Sequence, residues 1–227
     1  MPSHSYDVLV RLSPQVPAGI VERAARWTPD SVPSVAAGAA SVILLRDSKD
    51  GLETYLLHRH ALMPFAASMV VFPGGRVDPV DAEGGLDPTR ACAVRETAEE
   101  TGVLLDEADL VPWAHWITPE FEPRRYDTWF FVAAMPPDQQ AVDMSGETDL
   151  AEWSMPDTAL AAERSGLIKM LPPTISILIE LADLATVAEV INHATGRQIE
   201  PVLPRLVETD SSWQFRYSKA APPETWS

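Results

Sequence analysis

Apolar and polar positions change period along this chain, and each period predicts an element. Residues 36–46 (AAGAASVILLR) are an apolar run with β-branched character, which predicts a buried strand. Ser48, Lys49, Asp50 and Gly51 make a turn, and 52–59 (LETYLLHR) is the returning strand. Residues 69–72 predict a third short strand, which runs into Pro73, Gly74 and Gly75. Two more strands are predicted over 113–118 and 126–134, the second from its aromatic content. Elsewhere the spacing turns helical. Residues 88–101, 156–164 and 175–184 read as helices, and 187–194 either continues the last or forms another, with Gly196 as the stop. A short strand over 6–12 and a short helix over 19–27 are predicted before Pro33, in a region broken up by Pro14, Pro17 and Pro29. The tail from Pro201 reads as strand fragments and loop.

This layout predicts an N-terminal extension over 1–33, a core over 34–160 and a C-terminal helical extension over 161–227 that packs on the core. The first extension packs on the core or serves as a dimer arm. The 175–184 helix is hydrophobic on more than one face, so it meets the core or a second subunit of a homodimer.

The 88–101 helix has clear punctuation. Asp87 suits the N-cap, Pro88 the first helical position, and Gly102 the C-terminal stop. Ala91, Val94 and Ala98 fall at i, i+3, i+7 and predict its packing stripe. Glu96, Glu99 and Glu100 fall at i, i+3, i+4, so three carboxylates crowd into about one turn. A hard divalent cation, Mg²⁺ or Mn²⁺, relieves their repulsion and bridges carboxylates to substrate phosphates. The bland alternative is a solvated acidic face. The carbonyls of the Gly74 and Gly75 turn are further oxygen donors, and Gly75 joins the candidate metal ligands. Arg95 is placed to orient a carboxylate.

Composition narrows the class. The chain has 227 residues, is 46% hydrophobic and carries a net charge of −16. That charge argues against a broad nucleic-acid surface, which needs Lys and Arg to neutralise phosphates. No run of eighteen apolar residues predicts a membrane helix, and the N-terminus lacks the pattern of a secretory signal. The single cysteine, Cys92, excludes an intramolecular disulfide, suits a reducing cytoplasm and reads as a small buried residue. Arg76, after the glycine turn, reaches a substrate phosphate or pairs with Asp78. Arg124 and Arg125 clamp phosphate in a bidentate manner, or pair with Glu120, Glu122 or Asp127. His58 and His60 read as rim residues.

From Gly75 to Val103 the chain resembles the Nudix hydrolase signature, G-x5-E-x7-R-E-U-x-E-E-x-G-U with U aliphatic. Gly75 fits the first glycine, Asp81 falls at the first acidic position, and Arg95, Glu96, Glu99, Glu100, Gly102 and Val103 fit the second half. Six extra residues separate Asp81 from Arg95, and Thr97 replaces an aliphatic residue. The stretch before the box, with Arg59 in register of a coenzyme A-associated pattern, and the run TPEFEPRRYDTWFF are similar to the peroxisomal-type coenzyme A diphosphatase subgroup. The resemblance implies an α/β/α sandwich with a mixed sheet, and metal-dependent hydrolysis of a small nucleotide-derived substrate. Coenzyme A or an acyl-coenzyme A would give 3′,5′-ADP and a phosphopantetheine. ADP-ribose, NADH, a nucleotide sugar, or a non-catalytic ligand-binding role stand as alternatives. It also implies a loop glutamate ahead of Trp153 as a fourth metal ligand or base: Glu147, with Asp149 and Glu152 as rivals.

Overall fold

Strand β1 (Ala36–Ser48) organises a mixed sheet. The computed structural model describes residues 16–28, 30–61, 66–83, 87–144, 146, 148–209 and 212–219; the strand expected over 6–12 and Glu147 lie outside them. After helix α1 (Ala18–Ala25), β1 turns at Gly51 into the antiparallel β2 (Gly51–Arg59). The chain returns through β3 (Val70–Val71) and β4 (Gly74–Arg76). β3 pairs with the far end of β2, and β4 with residues 39–41 of β1. The glycine turn is thereby wedged between the two longest-apolar strands. Helix α2 (Pro88–Thr101) follows a short 3-10 turn, Pro79–Ala82. Strands β5 (Val111–Ile117) and β6 (Arg125–Ala134) form an antiparallel pair, and β6 lies parallel to β1 along residues 36–45. β7 (Thr148–Ser154) covers the outer edge of β2.

Period two divides the strands between two cores. Ala40, Val42 and Leu44 of β1 join Leu57, Phe131 and Ala133 under α2. Ile43 and Leu45 join Leu52, Leu56, Phe130 and Val132 on the opposite face. There they meet α3 (Pro156–Arg164), α4 (Pro172–Ala182) and α5 (Val187–Ala194). This is the expected α/β/α sandwich with a mixed sheet.

One open alternative resolves, and two expectations need correction. α5 is a separate helix, because Thr186 caps it: the Thr186 hydroxyl accepts a hydrogen bond from Glu189 N–H. The C-terminal extension is helical only through α5. Beyond it, β8 (Val202–Glu208) and β9 (Trp213–Lys219) form an antiparallel hairpin that joins the sheet beside β5. On α2, Ala91, Val94 and Ala98 are only half-buried, and the deep face is Cys92, Ala93, Thr97 and Thr101. The threonines can go inside because each hydroxyl donates to a carbonyl four residues back, Ala93 at 2.7 Å and Thr97 at 2.6 Å. No helix among the described residues is long and apolar enough to cross a membrane.

Candidate active site

The caps of α2 fix where its carboxylates stand. Asp87 accepts from Thr89 N–H at the N-terminus, and Gly102 closes the C-terminus with φ +70°. The last turn then faces the wedge of β3 and β4. Gly74 has φ +153°, and a Cβ there would lie 2.3 Å from the Ala40 carbonyl oxygen, so only glycine fits. Its N–H donates to Glu100 Oε2 at 2.8 Å. Arg59 Nη1 stands 4.0 Å from the other Glu100 oxygen. Gly75 makes room for Glu96: a Cβ on Gly75 would sit 2.3 Å from the Glu96 carboxyl carbon. Gly74 therefore lets the turn lie against β1, and Gly75 lets a carboxylate lie against the turn. Burial raises the Glu96 pKa, and the Arg95 guanidinium opposes that rise.

Arg95 is the hub. Its Nε and Nη2 donate to the two oxygens of Asp81, each at 2.9 Å, in a bidentate fork. Its Nη1 donates to Glu96 at 2.8 Å and Glu99 at 3.1 Å, and Nη2 also reaches the Arg76 carbonyl at 3.1 Å. Asp81 is buried and accepts from Asp78 N–H at 2.8 Å, and the bond from Arg95 lowers its pKa. The six extra residues before Arg95 leave this pair intact, because the 3-10 turn carries Asp81 back beneath the helix. Cys92 is fully buried between the Gly75 carbonyl (3.6 Å) and Arg95 (3.8 Å), and burial pushes its thiol up to about 12. It is a small buried packing residue, as expected.

The other candidates divide. Arg76 is exposed and makes no ion pair with Asp78 among the described residues; only its carbonyl enters the hub. Arg124 is exposed at the head of β6. Arg125 is spent on backbone: Nε donates to the Thr118 carbonyl at 3.0 Å and Nη1 to the Ser34 carbonyl at 2.8 Å. Among the described residues it makes no ion pair with Glu120, Glu122 or Asp127; Glu122 pairs with Arg23 and Asp127 with His115. His58 bonds Glu152 at 2.9 Å and His60 lies 3.6 Å from Asp149, so the two rivals of Glu147 pair with the two rim histidines.

Among the described residues, no three His, Cys, Asp or Glu side chains converge on one point. Glu99 is 59% exposed, and the guanidinium of Arg95 supplies the positive charge between Glu96 and Glu99. The donor set around the turn is nonetheless all oxygen: Glu96, Glu99, Glu100 and the Gly75 carbonyl. It fits a hard divalent cation, which would take over the charge-balancing part that Arg95 Nη1 plays between the carboxylates.

A mixed sheet between helices, with a glycine turn backing glutamates at the end of a capped helix, is the arrangement that the Nudix resemblance implies. The NUDIX domain profile matches residues 36–172, more than half of the chain, and the chain belongs to the Nudix family. It is 28% identical over 208 residues to the Caenorhabditis elegans protein named "Putative nudix hydrolase 7", a match covering 75% of this chain and 68% of that one. It is 25% identical over 166 residues to Acyl-coenzyme A diphosphatase NUDT19 of Xenopus laevis, covering 49% of this chain and 44% of the other. The crystal structure of a Nudix hydrolase from Alicyclobacillus acidocaldarius superposes with a TM-score of 0.63 at 24% identity, covering 70% of this chain and 96% of that one. At that identity the likeness speaks for the fold. The chain is an enzyme of the Nudix hydrolase type, a class that acts on small nucleotide-derived substrates with divalent metal ions.

Proposed function

We propose that this enzyme is a Mg²⁺- or Mn²⁺-dependent diphosphatase of coenzyme A or acyl-coenzyme A, releasing 3′,5′-ADP and (acyl-)phosphopantetheine. The observation that carries the reaction is the gathering of Glu96 and Glu100 against Gly75 and Gly74, with Glu99 beside them on Arg95. The similarity to an acyl-coenzyme A diphosphatase and the run from Thr118 to Phe131 support the substrate.

Glu96, Glu99, Glu100 and the Gly75 carbonyl would hold the metal. When bound, the ion supplies charge neutralisation at the diphosphate and a water of lowered pKa. Water adds to one phosphorus, the bridging P–O bond breaks, and the other phosphate departs. The residues of this chain do the positioning. Gly74 N–H and Arg59 fix Glu100. Asp81 fixes Arg95, which sets Glu96 and Glu99. Glu147 is a further ligand or the base. Arg59, Arg76 and Arg124 contact substrate phosphate, whereas Arg125 braces the loop before β6 against Ser34 and Thr118. The buried single thiol suits a reducing cytoplasm.

A product-resolved assay tests the reading. Coenzyme A, an acyl-coenzyme A, ADP-ribose and NADH are each incubated with Mg²⁺ and with Mn²⁺. Release of 3′,5′-ADP, absent in Glu99→Gln, is the expected result. Turnover of ADP-ribose or NADH alone would discard the substrate and keep the chemistry. Inertness towards all four, with tight binding of one, would point to a ligand-binding domain.

A further inference from the structure

We propose that the chain has a second ligand site, on the sheet face opposite α2, that takes a neutral purine base or nucleoside. A cleft of about 440 Å³ lies between β5, α4, the end of α5 and the 195–200 connection. That volume is in the range of small-molecule sites. Apart from β5, its walls come from residues after 172, where the match to the Nudix domain ends. The cleft is thus an addition to the family core. Trp113 on its inner wall belongs to the core shared with α4 and α5, so the sheet separates it from Glu96 and Glu100.

The lining points to the ligand class. The Arg197 guanidinium lies 4.5 Å over the Trp113 ring and is held at its edge by Glu180 at 2.7 Å. A flat cation backed by an indole offers a stacking platform to a planar ring. The exposed His193 leans on the same indole at 5.6 Å. Trp113 is fully buried, yet its Nε1 has no hydrogen-bond partner among the described residues, an uncommon state for a buried donor. Glu180, Glu200 and Gln198 add acceptors for amino groups, and Gln198 and Arg197 add donors for ring nitrogens and carbonyls. A purine presents that mixture on one flat ring. Phosphate is disfavoured. Glu180 already balances Arg197, Glu200 adds negative charge, and the whole chain carries −16. This separates the site from the diphosphate chemistry on the other face.

Calorimetric titration of the full-length protein with adenosine, guanosine and AMP, in metal-free buffer, tests the proposal. A nucleoside should bind saturably at one site, with AMP bound more weakly. His193→Ala and Arg197→Lys should each weaken binding by about tenfold, since a lysine keeps the charge and loses the plane. Thermal melts confirm that both variants fold, and His193, being exposed, is the safer of the two. Glu100→Gln should leave nucleoside binding unchanged. No saturable binding of either nucleoside, tighter binding of AMP, indifference to both cleft substitutions, or loss in Glu100→Gln would each overturn it.

Discussion

Helices α2 and α4 cover opposite faces of one sheet and are stabilised in opposite ways. α4 buries Ile175, Ile177, Leu178 and Leu181 against strands of the same character, and each such side chain contributes about 1.5–3 kcal/mol. α2 buries Cys92, Ala93, Thr97, Thr101 and Glu100. Small and polar residues give it little apolar area but let it lie close to β1 and β4. Its carboxylates are held by polar partners, Glu100 by Gly74 N–H and Arg59, and Glu96 and Glu99 together by Arg95. Apolar area holds the fold on one side, and on the other it gives way to positioned charge. The helix that carries the candidate site need not be the helix that carries stability.

Substitutions can break that contrast. The largest effect is expected for Glu100→Gln, which keeps an acceptor for Gly74 N–H but removes the charge. Hydrolysis should fall by about 10²–10³-fold, as for loss of one preorganised electrostatic group, with little change in melting temperature. Leu178→Ala should do the reverse. A cavity at a fully buried leucine costs about 2–5 kcal/mol, read by denaturant unfolding, while kcat/KM of the folded fraction stays within about twofold.

Asp81→Asn comes next, at about 1.5–3 kcal/mol at neutral pH, because the bonds lost are to a charged partner. The pH dependence has a definite sign. Arg95 holds the folded Asp81 pKa below its unfolded value, so the contribution is complete above about pH 4. It is lost as pH falls through the lower, folded value. Unfolding curves of the wild type and Asp81→Asn should therefore converge in acid and separate towards neutrality. The smallest effect belongs to Thr97→Val. It exchanges one hydroxyl bonded to the Ala93 carbonyl for a methyl in the same space, and stability should move by less than about 1 kcal/mol.

What the sequence disclosed follows from how local each feature is. The caps of α2, Asp87 and Gly102, are decided within a turn of chain, and both stand where the residues predict. The β1, β2 and β6 strands were legible because a continuous apolar run, a turn with its returning segment and an aromatic cluster mark them locally. The Asp81 and Arg95 fork was not, since thirteen residues, six of them an insertion, separate its members. The deep face of α2 was misread because threonines bonded to their own helix behave as small core residues. Pairing of His58 with Glu152 depends on the register between β2 and β7, which no local pattern fixes. Arg125 looked like a phosphate clamp, but its partner, the Ser34 carbonyl, lies far away in sequence. The C-terminal hairpin was seen only as strand fragments, because its partner in the sheet, β5, is a distant element.

The central claim is that the glutamates of α2 hold a divalent cation, and its most direct test does not need a substrate. Electron paramagnetic resonance of free Mn²⁺, titrated with wild type and with Glu99→Gln and Glu100→Gln, reports binding alone. The account predicts depletion of the free-ion signal by wild type and at least about tenfold weaker depletion by each variant, a differential of about 1.4 kcal/mol. Mn²⁺ bound equally well by all three proteins would contradict it.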